Sequence, residues 1–374
     1  MKYYITAGEA SGDLHASNLM KAIKTLDLQA EFRFWGGDLM KEQGGSIVKH
    51  YKETSYMGFV EVFRNLGNVK KNFKLFQEDI LKYQPDVFIP VDYPGFNLRM
   101  SKFVHELGIP VHYYISPKVW AWNTKRVYKI KQYVDKLFAI FPFEIDFYKT
   151  YDYPVEYVGN PLLDAIEDEL KNDFSETEFR QKHNLSNKPI IAILAGSRKS
   201  EIKNNLPSML EVSKLFPEYQ FVMAAAPSLD LSLYEQYTKG YDLQIVYNQT
   251  YNVLKIAKAA LITSGTATLE ATLLNTPLVC CYRGDNLSYH IAKRLVKVNY
   301  LALTNLILDK PAIKELIQFE MTPENMAAEL KKLLTDSQHR QTLFADFDKT
   351  RQVLGGIGAS RRTAEIIYQT LNRK

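Results

Sequence analysis

The chain has 374 residues, 46% of them hydrophobic and 24% charged, with a formal net charge of +5. That length exceeds what one hydrophobic core usually supports and predicts two domains. The composition excludes a disordered or membrane-spanning chain, and so mild and interleaved a positive charge gives no reason to expect a nucleic-acid partner.

The N-terminus enters a strand-like run at residues 2–7, without the basic start and long apolar segment of a signal peptide. No stretch reaches the roughly 18 uninterrupted apolar residues of a membrane-spanning helix. A cytosolic protein, or one resting on a membrane from that side, is expected. The only cysteines, Cys280 and Cys281, sit in an apolar run and read as buried free thiols of a reducing compartment.

From residue 2 the pattern alternates: helix 13–26, strand 31–35, strand 86–91, helix 97–107, strand 109–115, helix 124–134, strand 136–141. It resumes as strand 189–195, helix 201–215, strand 219–226, helix 230–239, strand 243–247, helix 250–257, strand 259–263, helix 266–275 and strand 277–282. Each series predicts βαβ units on a parallel, doubly wound sheet. The run Val158-Gly159-Asn160-Pro161 and the charged stretch 167–187 predict a hinge and spacer, hence domains over 1–160 and 161–345. From about 322 the pattern is helical, and residues 346–374 form a C-terminal helical segment broken at 354–358.

Ligands of such sheets bind beyond the carboxyl ends of the strands. Three loops there carry suitable chemistry. Ala7-Gly8-Glu9-Ala10-Ser11-Gly12-Asp13 opens a helix, with Gly8 and Gly12 for close approach and Ser11 and Asp13 near the helix start. It is not a GxGxxG fingerprint, and an ordinary capped turn has the same residues. Gly196-Ser197-Arg198 follows an apolar strand and starts a helix, where backbone N–H groups, the positive helix end and a guanidinium suit a phosphate. The bland alternative pairs Arg198 with Glu201 on the helix surface. Ser264-Gly265-Thr266-Ala267-Thr268-Leu269-Glu270 repeats the logic, with Glu270 placed to accept hydrogen bonds from ribose.

In the first domain Asp92 follows strand 86–91, where a carboxylate can act as general base on an alcohol or simply form the turn; Asn97 reads as the cap of the next helix. Trp120 and Trp122 are either core or a wall for a sugar or acyl chain, and a basic helix with Lys125, Arg126, Lys129 and Lys131 follows. Phe59, Phe63, Leu66 and Phe73 lie at helical spacing beside Arg64, Lys70, Lys71 and Lys74; this stripe fits an anionic membrane surface and equally a helix packed on a sheet. No HExxH or paired-cysteine spacing marks a metal site, and no cofactor is called for.

Taken together these runs, with Met57-Gly58-Phe59-Val60-Glu61-Val62, Ile115-Ser116-Pro117, Val119-Trp120-Ala121-Trp122, Phe141-Pro142-Phe143-Glu144, Tyr282-Arg283, Asn305-Leu306-Ile307 and Glu315-Leu316-Ile317-Gln318, resemble the lipid-A-disaccharide synthase family. The resemblance runs nearly end to end. It implies an α/β architecture of two Rossmann-like doubly wound domains facing a central cleft, the GT-B type. It further implies inverting transfer of 2,3-diacylglucosamine from its UDP derivative to 2,3-diacylglucosamine 1-phosphate, on the cytoplasmic face of the inner membrane. In that family's terms Asp92 deprotonates the acceptor 6-hydroxyl, Arg198 holds the UDP phosphates and Asn305 is needed in the cleft. Gly95, Ala195 and Asn160 depart from the expected residues. Two other readings share the residues: a UDP-N-acetylglucosamine 2-epimerase-like enzyme, and a non-catalytic nucleotide-sugar-binding protein at a membrane surface.

Overall fold

The computed structural model describes residues 1–53, 66–171, 173–285, 289, 296 and 298–373, the side chain of Leu66 excepted. By its contacts the chain divides into unit 1, Met1–Ala165 with Ile357–Lys374, and unit 2, Ile166–Gly356.

Unit 1 begins β1 (Lys2–Ala7), α1 (Ala10–Leu26), β2 (Glu31–Gly36), α2 (Asp38–Glu42), β3 (Ser46–His50), α3 (Leu66–Tyr83), β4 (Val87–Val91), α4 (Pro94–Glu106) and β5 (His112–Tyr114). It continues α5 (Val119–Trp122), α6 (Arg126–Tyr133), β6 (Lys136–Ala139), α7 (Phe143–Lys149), β7 (Glu156–Tyr157) and α8 (Pro161–Leu170), the last of which passes into unit 2. The strand order is β3-β2-β1-β4-β5-β6-β7, and every ladder among the described residues is parallel. Strand β4 reads Val-Phe-Ile-Pro-Val and is buried throughout, as a strand covered on both faces must be.

Unit 2 carries α9 (Glu176–Lys182), β8 (Ile190–Leu194), α10 (Lys199–Ser213), β9 (Gln220–Ala225), α11 (Leu231–Thr238), β10 (Leu243–Tyr247), α12 (Thr250–Ile256) and β11 (Ala257–Thr263). Then follow α13 (Thr266–Leu273), β12 (Leu278–Tyr282), α14 (Leu303–Leu308), β13 (Glu315–Ile317), α15 (Pro323–Thr335) and α16 (Ser337–Leu354). Its sheet, β10-β9-β8-β11-β12-β13, is again parallel. Two doubly wound parallel sheets are thus present, as the alternating pattern predicted. The short strands β3, β7 and β13 escape that pattern because their apolar runs are too brief to alternate. Both cysteines lie on β12, free and buried.

In each sheet the order reverses once, and the two strands flanking the reversal leave their carboxyl ends uncovered by their own crossovers. In unit 1 these are β1 and β4, where Ala7 pairs with Val91. In unit 2 they are β8 and β11, where Leu194 pairs with Ile262. The next residues in chain order are the loops at Gly8, Asp92, Gly196 and Ser264.

The final helix, α17 (Ala359–Asn372), packs on α1 within unit 1. Its first backbone N–H groups, on Gly358, Ala359 and Ser360, donate to the Asp164 carboxylate, and Gly358 adopts φ 101° to present them. One side chain therefore satisfies donors that a helix start leaves orphaned. Asp164→Ala should lower the stability of unit 1 by about 2 kcal/mol, read as an earlier urea midpoint; Asp164→Asn should recover part of it, and an unchanged midpoint in the alanine variant would refute the role.

Candidate functional site

At the switch point of unit 1 the backbone turns sharply. Asp92 and Tyr93 both take positive φ, 44° and 49°, before Pro94 starts α4. Non-glycine residues pay on the order of 1–2 kcal/mol each for this conformation, so the surroundings must hold it. The Tyr113 hydroxyl donates to the Asp92 carbonyl at 2.5 Å, and the Asn97 amide donates to the same oxygen at 2.7 Å. The Asp92 N–H donates to the Tyr114 carbonyl at 3.1 Å. Gly8 completes the clamp: a Cβ there would meet the Tyr93 ring at 2.3 Å. With its backbone so fixed, the partly buried Asp92 side chain issues from the sheet edge beside the β1 loop.

Asn97 is not the cap that its position suggested. Tyr93 is the cap residue, and Asn97 lies one turn inside α4, fully buried, taking a hydrogen bond from Thr6 Oγ1 at 2.7 Å. It joins the ends of β1 and β4 to the Asp92 turn. Asp13 is likewise engaged: buried, it accepts the N–H groups of Gly37, Leu39 and Met40 at 2.7, 3.1 and 3.2 Å and so caps α2. Gly12 packs against Ala7, and Ser11 donates to Glu9 at 3.0 Å.

Beyond β5, Ile115 has φ 65°, which cuts the predicted strand short at Tyr114. Glu144, wholly buried, accepts Ile140 and Phe141 N–H at 3.0 Å each and the Trp120 indole at 3.1 Å; burial pushes its carboxyl up to about 7. Trp120 is therefore core, and Trp122 is 43% exposed. Phe73, read as a membrane contact, instead stacks on Phe96 at 5.1 Å against the core of unit 1, because the apolar stripe of α3 faces the sheet. Phe59, Phe63 and the Leu66 side chain lie outside the described residues.

In unit 2, Gly196 takes φ 115° and Arg198 is the cap residue of α10. Glu201 reaches back from the first turn: its carboxylate accepts Ser197 N–H at 2.9 Å and pairs with Arg198 at 2.8 Å. A Cβ on Gly196 would strike that carboxylate at 2.5 Å. The surface pairing named above as the bland alternative is thus present, with Arg198 half exposed. Across the switch point Gly265 precedes α13, which starts without a side-chain cap. Ser264 donates to the Leu301 carbonyl at 3.2 Å, and Thr266 is the first residue of the helix. Burial raises the Glu270 carboxyl to about 7, opposed by a hydrogen bond from the Tyr251 hydroxyl at 3.1 Å.

Asn305, given a cleft role by the family resemblance, has structural partners. It is fully buried, and its amide exchanges hydrogen bonds with Ile313 at 2.8 Å both ways and donates to Glu315 at 2.9 Å. Glu315 in turn accepts Leu301 and Ala302 N–H, so the pair fixes the start of α14. Arg283 is similarly committed, to Ser208 and the Gln318 and Met321 carbonyls. The sequence offered no sign of these long-range partners beyond the presence of the residues in apolar runs. Among the described residues no group of three His, Cys, Asp or Glu is placed to hold a metal.

Two doubly wound units, each with polar loops at its switch point, define the two-domain class shared by nucleotide-sugar transferases and epimerases. Among solved structures the chain matches a Staphylococcus aureus MnaA–UDP co-structure (TM-score 0.69, 13% identity, 99% of this chain and 97% of that one). It also matches Methanocaldococcus jannaschii UDP-GlcNAc 2-epimerase (TM-score 0.68, 13% identity, 99% and 100%). At such identities the likeness concerns the fold alone. Sequence is more specific: the Lipid-A-disaccharide synthetase family model matches residues 3–368. Lipid-A-disaccharide synthases of Trichlorobacter lovleyi (36% identity, 99% of this chain, 97% of theirs) and Nitrosococcus oceani (37%, 98% and 95%) align over nearly their whole length. The chain belongs to the lipid-A-disaccharide synthase family, whose members are hexosyltransferases.

Two outcomes follow. Asn97→Ala removes the bridge between Thr6 and the Asp92 carbonyl and should cost about 2 kcal/mol or more in urea unfolding; a cost near zero would show that the turn holds itself. Glu270 binds its proton more tightly folded than unfolded, where the ordinary value is 4.5. Its contribution is fully present below that value and is lost as pH rises through about 7. Glu270→Gln should therefore gain stability relative to wild type across that window, by up to ~3 kcal/mol. A difference independent of pH would contradict the shift.

Proposed function

We propose that the chain transfers 2,3-diacylglucosamine from UDP-2,3-diacylglucosamine to the 6-hydroxyl of 2,3-diacylglucosamine 1-phosphate, giving the β-1,6-linked disaccharide 1-phosphate and UDP. Membership of the family supports the substrates, and the braced Asp92 turn is the observation that carries the mechanism. Asp92 takes the proton of the acceptor hydroxyl as O6 bonds to the anomeric carbon. The bond from that carbon to the diphosphate oxygen breaks with its electron pair, and UDP departs. Base and leaving group must flank the anomeric carbon, so the displacement inverts configuration. Asp92 belongs to unit 1 and the diphosphate loops to unit 2, a division of labour suited to that demand.

Charge on the leaving diphosphate is met by Arg198 and by the N-termini of α10 and α13. Gly196, Ser197, Ser264, Gly265 and Thr266 supply close backbone approach, while Glu270 accepts from the ribose. Glu201 must release Ser197 and Arg198 as the phosphates arrive. Gly8 acts through the Tyr93 ring rather than on the ligand.

Both substrates bear two acyl chains, and no described helix is long and apolar enough to cross a membrane. The reading therefore places the protein on the anionic cytoplasmic surface of the inner membrane. Incubation with the acylated UDP sugar and its acceptor should yield disaccharide and UDP in equal amounts. Asp92→Ala and Arg198→Ala should each reduce kcat/KM by about 100-fold or more. Absence of disaccharide with wild type, or full activity in both variants, would overturn the proposal; turnover of UDP-N-acetylglucosamine alone would turn it toward an epimerase.

A further inference from the structure

The residues from Leu107 to Val134 hold five lysines and arginines and no acid, a local charge equal to the net +5 of the whole chain. The sheet fixes where this run surfaces. Tyr114, the last residue of β5, pairs with Val91 beside the Asp92 turn, so the chain leaves β5 at the same sheet edge as Asp92. Ile115, Ser116 and Pro117 are buried and Lys118 is exposed. Trp120 turns into the core, whereas Trp122 is 43% exposed, with the Arg126 guanidinium 5.1 Å from the centre of its ring.

Helix α6 is divided lengthwise. Val127 and Ile130 join the core of unit 1, while Lys125, Tyr128, Lys129 and Gln132 are exposed at the i, i+3, i+4, i+7 spacing of one helix face. Tyr128 is 65% exposed, its ring edge-on to Tyr151 at 5.9 Å, and Lys131 flanks it by donating to the Tyr151 carbonyl at 3.0 Å. Among the described residues no carboxylate forms an ion pair with Lys118, Lys125 or Lys129. A merely solvated face would mix acids with its bases and would not expose two such rings. Cations without acids attract anionic headgroups, and Trp and Tyr, apolar with a polar tip, rest at headgroup depth. Lipid is favoured over nucleic acid because the rest of the chain has equal numbers of basic and acidic residues.

We infer that this face of α5 and α6 is where unit 1 docks on an anionic lipid surface, with Trp122 and Tyr128 among the headgroups and Lys118, Lys125 and Lys129 on their phosphates. The inference rests on the membrane reading above and adds the place of contact, which the inward-facing Phe73 does not supply. Docking there turns the Asp92 edge of the sheet toward a substrate whose acyl chains stay in the bilayer.

Flotation with phosphatidylcholine vesicles, with and without phosphatidylglycerol, tests the assignment on the full chain. Lys125→Glu combined with Lys129→Glu should weaken binding to the anionic vesicles about tenfold or more, and Trp122→Ser combined with Tyr128→Ser should weaken it further than salt alone does. Lys239→Glu with Lys331→Glu, the same charge change at exposed positions of unit 2, should have little effect. Of the three tryptophans only Trp122 is exposed, so acrylamide quenching of wild-type fluorescence should fall on vesicle binding. The lysine variant should keep the wild-type urea midpoint and its turnover of substrates in neutral detergent micelles. Equal losses in the unit 2 control, unchanged binding in both face variants, unchanged quenching, or binding to single-stranded DNA as tight as to vesicles would overturn the assignment. Wild type that makes disaccharide in micelles yet ignores anionic vesicles would overturn it and leave the proposed activity standing; vesicle binding without disaccharide would sink the activity alone.

Discussion

Parallel strands all point one way, so a sheet built from them gathers every carboxyl end, and every following helix start, along one edge. At the single reversal of strand order nothing covers that edge. In this chain β1 with β4, and β8 with β11, meet there. Asp92 in one unit, and Gly196 and Gly265 in the other, have their place because of that arrangement. The cost is local strain at Asp92 and Tyr93, offset by Asn97, Tyr113 and the bare backbone of Gly8.

Helix starts attract anions, and at several of them the chain supplies a carboxylate of its own. Asp13 serves α2, Glu144 serves α7, Asp164 serves α17, and Glu315 serves the start of α14. Glu201 serves the approach to α10 but remains tied to the half-exposed Arg198, so it can be exchanged for another anion. Helix α13 has no such cap. Those two helix starts flank β8 and β11, where the proposed mechanism puts the departing diphosphate.

Much of this was legible in the sequence because it is local. Apolar runs followed at once by Gly-Ser-Arg or Ser-Gly-Thr mark strand ends and helix starts, and the alternating rhythm marks both sheets. What the sequence concealed depends on partners far along the chain. Asp13 meets residues 37–40, Asn97, read as a helix cap, meets Thr6, and Asn305 meets Ile313 and Glu315, so all three take part in interior hydrogen bonds that the sequence did not announce. Phe73 shows the same limit: its spacing fits lipid or sheet, and Phe96 decides for the sheet. Helix α17 was visible as a helix, yet its attachment rests on Asp164, nearly two hundred residues earlier in the chain.

The proposed roles of Asp92 as base and of the diphosphate as leaving group amount to a single displacement. The most direct check is the anomeric configuration of the new linkage, read from the H1–H2 coupling of the disaccharide made from an α-linked UDP donor. A large trans-diaxial coupling, hence a β linkage, is what one-step attack across the anomeric carbon predicts. A small coupling from an α linkage would mean retention, and would contradict the role given to Asp92.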